Sequence, residues 1–183
     1  VQDPVGVQRI CGVEQILGQN NFDVLFLADE FIVLADTFIT GGNEGDTIWG
    51  NAGNDTILGN NGPDVIDGGP GDDIIDSGLG NDLITLWPGS GFDSIDGGIG
   101  TTDTVQIDAE QNQILISPAV DLSYQFDIFY LGTPMAQIID VEALVLNDAS
   151  IDLTACTGGP TDVCNLCGND ALNGGEGGDD GNN

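Results

Sequence analysis

Short runs of alternating apolar and polar residues, separated by glycine-rich turns, cover most of this chain. Between residues 41 and 85 the apolar position recurs every nine residues, at Ile48, Ile57, Ile66, Ile75 and Ile84. In a strand such as Asp55-Thr56-Ile57-Leu58, alternate side chains point to opposite faces. The pattern therefore predicts short strands, each with one inward isoleucine, joined by tight turns.

The turns belong to a nine-residue phrase that occurs five times without a gap. The copies read GGNEGDTIW, GNAGNDTIL, GNNGPDVID, GGPGDDIID and SGLGNDLIT. Glycine suits turns that need positive φ or a close approach to an ion. The sixth position is always aspartate, and it faces inward like the isoleucine. These aspartates are Asp46, Asp55, Asp64, Asp73 and Asp82.

Two phrases make one full coil, so turns 18 residues apart are predicted to stack. One row then holds Asp46, Asp64 and Asp82, and the other holds Asp55, Asp73 and, after an insertion, Asp93. Stacked turns present carboxylate and carbonyl oxygens around a small cavity, which suits Ca²⁺. Zinc is disfavoured because the chain has no histidine. A flexible Gly-Asn-Asp linker would not keep isoleucine at every ninth position. We expect several calcium ions, and folding that depends on them.

The phrase resembles the RTX (repeats-in-toxin, hemolysin-type calcium-binding) nonapeptide repeat, G-G-x-G-x-D-x-U-x. The resemblance implies a right-handed parallel β-roll, with Ca²⁺ bound between neighbouring turns by the sixth-position aspartates and turn carbonyls. Looser copies follow an insertion at Leu86 and Trp87 and recur near both ends of the chain. They add four candidate metal ligands and a fifth, displaced by one place, namely Asp93, Asp23, Asp170, Asp179 and the displaced Asp103.

The predicted fold class is all-β, a parallel β-roll or β-solenoid that continues into wider β coils, with disulfide-linked ends. Four segments are expected. They are an N-terminal capping β segment at 1–40, the calcium-binding roll at 41–104, a β-rich continuation of the solenoid at 105–155, and a cysteine-containing segment with a partial repeat at 156–183. Strands in the third segment are expected at Val105–Ile107, Ile114–Ile116, Tyr124–Tyr130, Gln137–Ile139, Ala143–Leu146 and Ile151–Leu153.

The capping segment contains a seven-residue tandem, LADEFIV followed by LADTFIT, over residues 27–40. A heptad is compatible with a helix. Two copies are few, however, and Phe, Ile, Val and Thr favour strands. We expect two stacked strands that cover the apolar end of the roll, since an open solenoid end exposes core and strand edges.

Composition narrows the function. The chain has 31 acidic residues, mostly aspartate, and one basic residue, Arg9, which makes nucleic acid and anionic membranes poor partners. The absence of His and Lys removes most general-base and Schiff-base chemistry. Only hydrolysis by a carboxylate pair remains, so we expect no enzyme activity. No apolar run reaches the length of a membrane span.

The four cysteines lie outside the repeats, at Cys11, Cys156, Cys164 and Cys167. Two disulfides are the preferred interpretation, with three possible connectivities. A Cys₄ zinc site and a redox-active Cys164-x-x-Cys167 pair are the alternatives. Disulfides and calcium both favour an extracellular setting. Because the chain starts at Val1 without Met, removal of an N-terminal signal is also expected.

Three classes of function remain. The first is a secreted structural protein that associates with itself head to tail, as a filament, matrix or surface-layer subunit, because heterologous contacts that do not close give filaments. The incomplete last copy favours this hypothesis, since a neighbouring subunit can complete it. The second is a calcium-triggered module of a larger secreted toxin, adhesin or enzyme. The third is an enzyme in its own right.

Overall fold

The computed structural model describes residues 15–17, 24–26, 36–121 and 123–154. In these ranges the chain is all β, apart from one 3₁₀ turn at Gln111–Gln113. The strands are β1 (Gln15–Leu17), β2 (Val24–Phe26), β3 (Phe38–Gly42), β4 (Thr47–Trp49), β5 (Thr56–Asn60), β6 (Val65–Asp67), β7 (Ile74–Asp76), β8 (Leu83–Leu86), β9 (Asp93–Asp96), β10 (Thr104–Ile107), β11 (Ile114–Pro118), β12 (Phe126–Tyr130), β13 (Thr133–Ile139), β14 (Ala143–Val145) and β15 (Ser150–Asp152).

The strands form two sheets, and strands β1 to β10 alternate between them. Sheet I has the order β1-β3-β5-β7-β9-β13-β12-β11, and sheet II has the order β15-β14-β10-β8-β6-β4-β2. From β1 to β10, neighbours within each sheet are parallel. One strand of each sheet makes up one coil, so the predicted β-solenoid of paired nine-residue phrases is confirmed.

The core is a double column of aliphatic side chains between the sheets. Each strand of the roll contributes one central residue, and the strand register places these residues side by side. All are at most 1% exposed. The column of sheet I holds Ile39, Ile57, Ile75, Ile95 and Ile138, and the column of sheet II holds Ile48, Ile66, Ile84, Val105 and Leu144. Inward isoleucines with outward seventh and ninth positions agree with the sequence pattern.

The N-terminal segment extends the roll within the part that the structure describes. β1 and β2 pair in parallel with β3 and β4. β3, which carries the end of the second tandem copy, pairs in register with β5, so that Ile39 lies beside Ile57. The 18-residue spacing of those two isoleucines places β3 in the stack, so the strands of this segment continue the roll at the end they were expected to cover. The first tandem copy lies outside the described residues.

The segment after β10 differs from the prediction of wider coils. β13 and β14 form one further parallel coil on β9 and β10. However, β11 and β12 add to sheet I as antiparallel strands, and β15 adds to sheet II in the same way. Each of the six strands predicted here is present with shifted ends. Alternation along a strand does not distinguish parallel from antiparallel pairing, which is why the arrangement differs.

A two-residue turn explains the antiparallel pairing of β12 and β13. Tyr130 pairs with Thr133, so only Leu131 and Gly132 connect the strands. Both have positive φ, 49° and 82°. That combination is the hairpin turn whose twist matches antiparallel strands. The long turn that a parallel coil needs is absent at this point of the chain.

Candidate metal centre

Two rows of buried aspartates run along the turns of the roll. Row I lies at the start of the strands of sheet I, and row II at the start of those of sheet II. Every member is at most 2% exposed. Row I contains Asp55, Asp73 and Asp93, and row II contains Asp46, Asp64, Asp82 and Asp103. The predicted stacks are present, and the displaced Asp103 joins row II in spite of its shift in sequence.

One oxygen of each carboxylate links consecutive coils. The backbone N–H of Asp46 donates to Oδ1 of Asp64 at 2.7 Å, and that of Asp64 donates to Oδ1 of Asp82 at 2.8 Å. Row I repeats the arrangement from Asp55 to Asp73 at 2.8 Å. A buried amide would otherwise lack an acceptor. The Oδ1 atoms therefore have a structural role in the stack.

The second oxygen of most of these carboxylates has no protein partner. Oδ2 is buried and accepts no hydrogen bond in Asp55, Asp64, Asp73, Asp82 and Asp103. Asp93 differs, because its Oδ2 accepts a 3.5 Å hydrogen bond from Oγ of Ser90. A buried carboxylate oxygen without compensation costs several kcal/mol. With Arg9 as the only basic residue, the sequence offers almost no side-chain cation to supply that compensation.

In four of the five copies, glycine at the first position leaves a space beside Oδ2 of the row carboxylate. A Cβ added at Gly41 would lie 2.5 Å from Oδ2 of Asp46 and 2.8 Å from the carbonyl oxygen of Gly59, one coil further on. At Gly59 the same added atom would overlap Oδ2 of Asp64 and the carbonyl oxygen of Ser77. Each space is thus lined by a carboxylate oxygen and a carbonyl oxygen, which are donors that Ca²⁺ prefers.

Carboxylates alone do not make these sites. Within the described ranges, no group of three or more His, Cys, Asp or Glu side chains is close enough to hold a metal ion. A cation in a turn therefore depends on backbone carbonyls as well as on the row aspartates. This agrees with a site built from glycine turns, where Asn60, with φ of 78°, and Gly71, with φ of 151°, hold backbone conformations that few residues adopt.

Burial perturbs the acidity of the rows. Removal from water raises the pKa of Asp64 and of Asp73 to about 7. The same cause raises the pKa of Asp55, Asp93 and Asp103 to about 6, and it raises the pKa of Asp82 as well. Neighbouring carboxylates add repulsion, such as that of Asp82 and Asp46 on Asp64. A bound cation would remove this cost by favouring the ionised form.

The row positions include two residues that the sequence patterns did not indicate. The N–H of Thr37 donates to Oδ1 of Asp55 at 2.7 Å, which gives Thr37 the place of a row I aspartate. At the other end, the N–H of Asp103 donates to Oε2 of Glu142 at 2.7 Å. The order Glu142-Ala143-Leu144, acid then outward then inward residue, is the signal that identifies this last turn.

The remaining predicted site residues lie outside the described residues. They are the candidate ligands Asp23, Asp170 and Asp179 and the cysteines Cys11, Cys156, Cys164 and Cys167. The disulfide-linked ends and the outer calcium sites therefore stay predictions. Over the ranges that the structure does describe, none of the helical segments has the length and apolarity needed to span a bilayer.

A two-sheet β-solenoid with oxygen-lined glycine turns and buried aspartate rows defines a calcium-binding β-roll. The family comparison agrees, since residues 35–64 and 49–84 match the model of the RTX calcium-binding nonapeptide repeat, with four copies. This stretch of the chain consists of RTX repeats. Such repeats bind Ca²⁺, generally have a structural rather than a catalytic role, and usually occur in secreted proteins. A comparison with curated proteins gave no match.

Proposed function

We propose that this chain is a secreted structural protein whose roll folds around calcium. The observation that carries the proposal is the set of buried, unpaired Oδ2 atoms in both aspartate rows. At Gly50 and Gly59 the Oδ2 atoms of Asp55 and Asp64 lie beside a carbonyl oxygen of the next coil, and the net charge of −30 provides no internal compensation. Divalent cations with oxygen ligands satisfy both the hydrogen-bonding deficit and part of the charge.

Folding depends on the ion because the roll has little else to stabilise it. Each strand of the repeats buries one large aliphatic side chain, except β8, which buries both Ile84 and Leu86, so the core is narrow. Without calcium, stacked carboxylates repel one another along both rows. Binding to the folded state alone then supplies folding free energy.

The test is a calcium titration followed by circular dichroism and calorimetry on the full chain. We expect β-sheet signal to appear with Ca²⁺ and to disappear with excess chelator. Asp64→Asn should remove one ligand and weaken neighbouring sites. Asp76→Asn is the matched control, because Asp76 lies in the same repeats but is exposed on the outer face. Equal calcium binding by the parent and Asp64→Asn would contradict the assignment of the rows.

We further propose that copies of the chain associate as an extracellular filament, matrix or surface layer. Outward apolar side chains support this role, since Val65 is 41% and Ile74 is 55% exposed on the two sheets. Head-to-tail contact would join the edge strands β1 and β2 of one copy to the edges β11 and β15 of the next. The same edges are the ones that natural β proteins normally protect.

Electron microscopy of the purified chain, with millimolar calcium and then with chelator, tests this assembly. Filaments or sheets that form with calcium and disperse with chelator would support the structural role. Monodisperse particles in both conditions would instead favour the alternative proposal, a calcium-triggered module of a larger secreted toxin, adhesin or enzyme. The RTX repeats support that alternative as well, because folding outside the cell assists export of such modules.

A further inference from the structure

The turn before Asp93 differs from the regular turns because two residues are inserted ahead of it. The coils from Asp46 to Asp64 and from Asp55 to Asp73 are 18 residues long, whereas that from Asp73 to Asp93 is 20. The later part of the turn keeps its stacking, since Gly71 donates to the carbonyl of Ser90 at 2.7 Å. The N–H of Phe92 likewise donates to Oδ1 of Asp72 at 2.8 Å. The insertion is therefore absorbed before Ser90.

The inserted residues form a tight turn of their own. The N–H of Ser90 donates to the carbonyl of Trp87 at 3.0 Å, and Gly89 has a φ of 84°. Proline at the second position and glycine at the third are typical of a type II turn, and Pro88 and Gly89 occupy them. This turn fixes the position of Trp87 beside the preceding coil.

The insertion changes the lining of the ion position. At Gly50 and Gly59 the atoms nearest to an added Cβ include a backbone carbonyl of the next coil. At Gly68, which faces the insertion, the three nearest atoms all belong to Asp73. The carbonyl oxygen that closes the regular turns is thus not among the nearest neighbours here. The nearest lining at Gly68 therefore comes from Asp73 alone, whereas the regular turns add a carbonyl oxygen within 3 Å.

Asp67 lies at the start of the same turn. Its Oδ2 accepts a 3.0 Å hydrogen bond from Nε1 of Trp87, and its Oδ1 is buried without a partner. After burial and the nearer carboxylates, the charge of Asp67 contributes to the raised pKa of Asp73 and of Asp93. Besides Asp73, Asp93 and Asp72, the charge of Asp67 therefore acts on this position, where Oδ2 of the 1%-exposed Asp73 is also unpaired.

Resting on the calcium-binding function proposed above, we propose that Asp67 is an additional cation-binding residue of the turn between 68–73 and 87–93. Trp87 orients the Asp67 carboxylate, which adds its charge from outside the direct ligands of the ion. Its side chain does not form a three-carboxylate cluster with Asp73 and Asp93, so Asp67 acts on the ion through a bound water. The added charge makes this the tightest calcium position of the roll.

Calorimetric calcium titration of the full chain tests the added charge. Asp67→Asn should lower the affinity of the tightest class of site about tenfold, the lower end of the effect of outer-shell partners on metals. Asp76→Asn, the ninth-position residue of the next copy, should leave every site unchanged. If Asp67→Asn gives the parent's isotherm, the inference is wrong. If the parent itself binds no calcium, the proposed function fails instead.

Terbium luminescence tests the location, with Tb³⁺ as the probe and tryptophan as the sensitiser. Emission from the first equivalent bound should fall in Trp87→Phe, since Trp87 contacts Asp67 directly. Trp49 pairs with Asp67 in the adjacent strand, so it should keep part of the signal. Unchanged first-equivalent emission in Trp87→Phe would place the tightest site elsewhere and overturn the inference. Because it uses Trp87→Phe, this measurement tests the inference even if Asp67→Asn fails to fold.

Discussion

The repeats at 41–85 and the segment at 105–154 contribute strands to the same two sheets but hold their turns differently. In the repeats, each turn buries a carboxylate that needs a cation, and the core has one aliphatic residue per strand. In the later segment, larger residues such as Phe126 and Met135 join the core, and a short hairpin turn connects β12 and β13. One region is therefore stabilised by ions, and the other by packing and local hydrogen bonds.

Removal of calcium should produce the largest difference in stability between the two regions. At a hundredfold excess over its Kd, each bound ion adds ~2.7 kcal/mol to the free energy of unfolding. With chelator we expect the amides of 47–76 to lose hydrogen-exchange protection, while 126–139 retains more, because its hairpin bonds do not involve the aspartate rows. Equal loss in both segments would show a single cooperative unit and contradict the comparison.

Acidification should stabilise the ion-free roll and so replace part of the stabilisation that calcium provides. The pKa of Asp64 and of Asp73 is raised to about 7 by burial, so the ion-free roll is favoured by protonation. This stabilisation is complete below about pH 4, the ordinary range of aspartate, and is lost as the pH rises through 6 to 7. Chelated protein should therefore gain β-sheet circular dichroism on acidification, whereas calcium affinity should fall. Ion-free protein that is most ordered at pH 8 would contradict this sign.

Truncation of one core side chain in each region should show which region depends on calcium for its fold. Ile66→Ala in the repeats and Ile128→Ala in the hairpin region each remove a side chain that is fully buried. Each should cost about 2–5 kcal/mol in calcium, measured by denaturant unfolding. In chelator, only Ile128→Ala should still alter the residual structure seen by hydrogen exchange. A persistent effect of Ile66→Ala without calcium would mean that the repeats fold on packing alone.

The smallest effect concerns two glycines. Gly59→Ala places a methyl group against Oδ2 of Asp64 and the carbonyl of Ser77, so it should reduce the calcium affinity of one site about tenfold, or ~1.4 kcal/mol. Gly132→Ala meets no atom within 4 Å and strains only the backbone, where φ is 82°. It should cost ~1 kcal/mol of stability and leave calcium binding unchanged in calorimetry. Equal losses of calcium affinity in Gly59→Ala and Gly132→Ala would contradict the distinction between the calcium-binding turns and the hairpin turn.

The regular part of the fold could be predicted from the sequence because local and long-range order share one period. Asp64 and Ile66 repeat at nine residues, and the stacking distance is two such phrases, so the rows follow directly. The RTX resemblance then indicates the ligand.

Where the nine-residue period is interrupted, the sequence does not predict the row positions or the direction of strand pairing. The row I position before Asp55 is occupied by Thr37 instead of an aspartate, and the tandem repeat around it has a period of seven residues. Glu142 follows Asp103 at a distance of 39 residues because the β11–β12 excursion intervenes. The direction of pairing in that excursion depends on the two-residue turn at Leu131 and Gly132, which alternating apolar residues do not reveal.

The hydrogen bonds of the aspartate rows all run in one direction along the chain. The amide of each coil donates to a carboxylate of the coil that follows, from Asp46 to Asp64, Asp82 and Asp103, and the series ends on Glu142. No coil is complete until its successor exists. Row II is therefore closed only when Glu142 is in place, 96 residues after Asp46 in the chain.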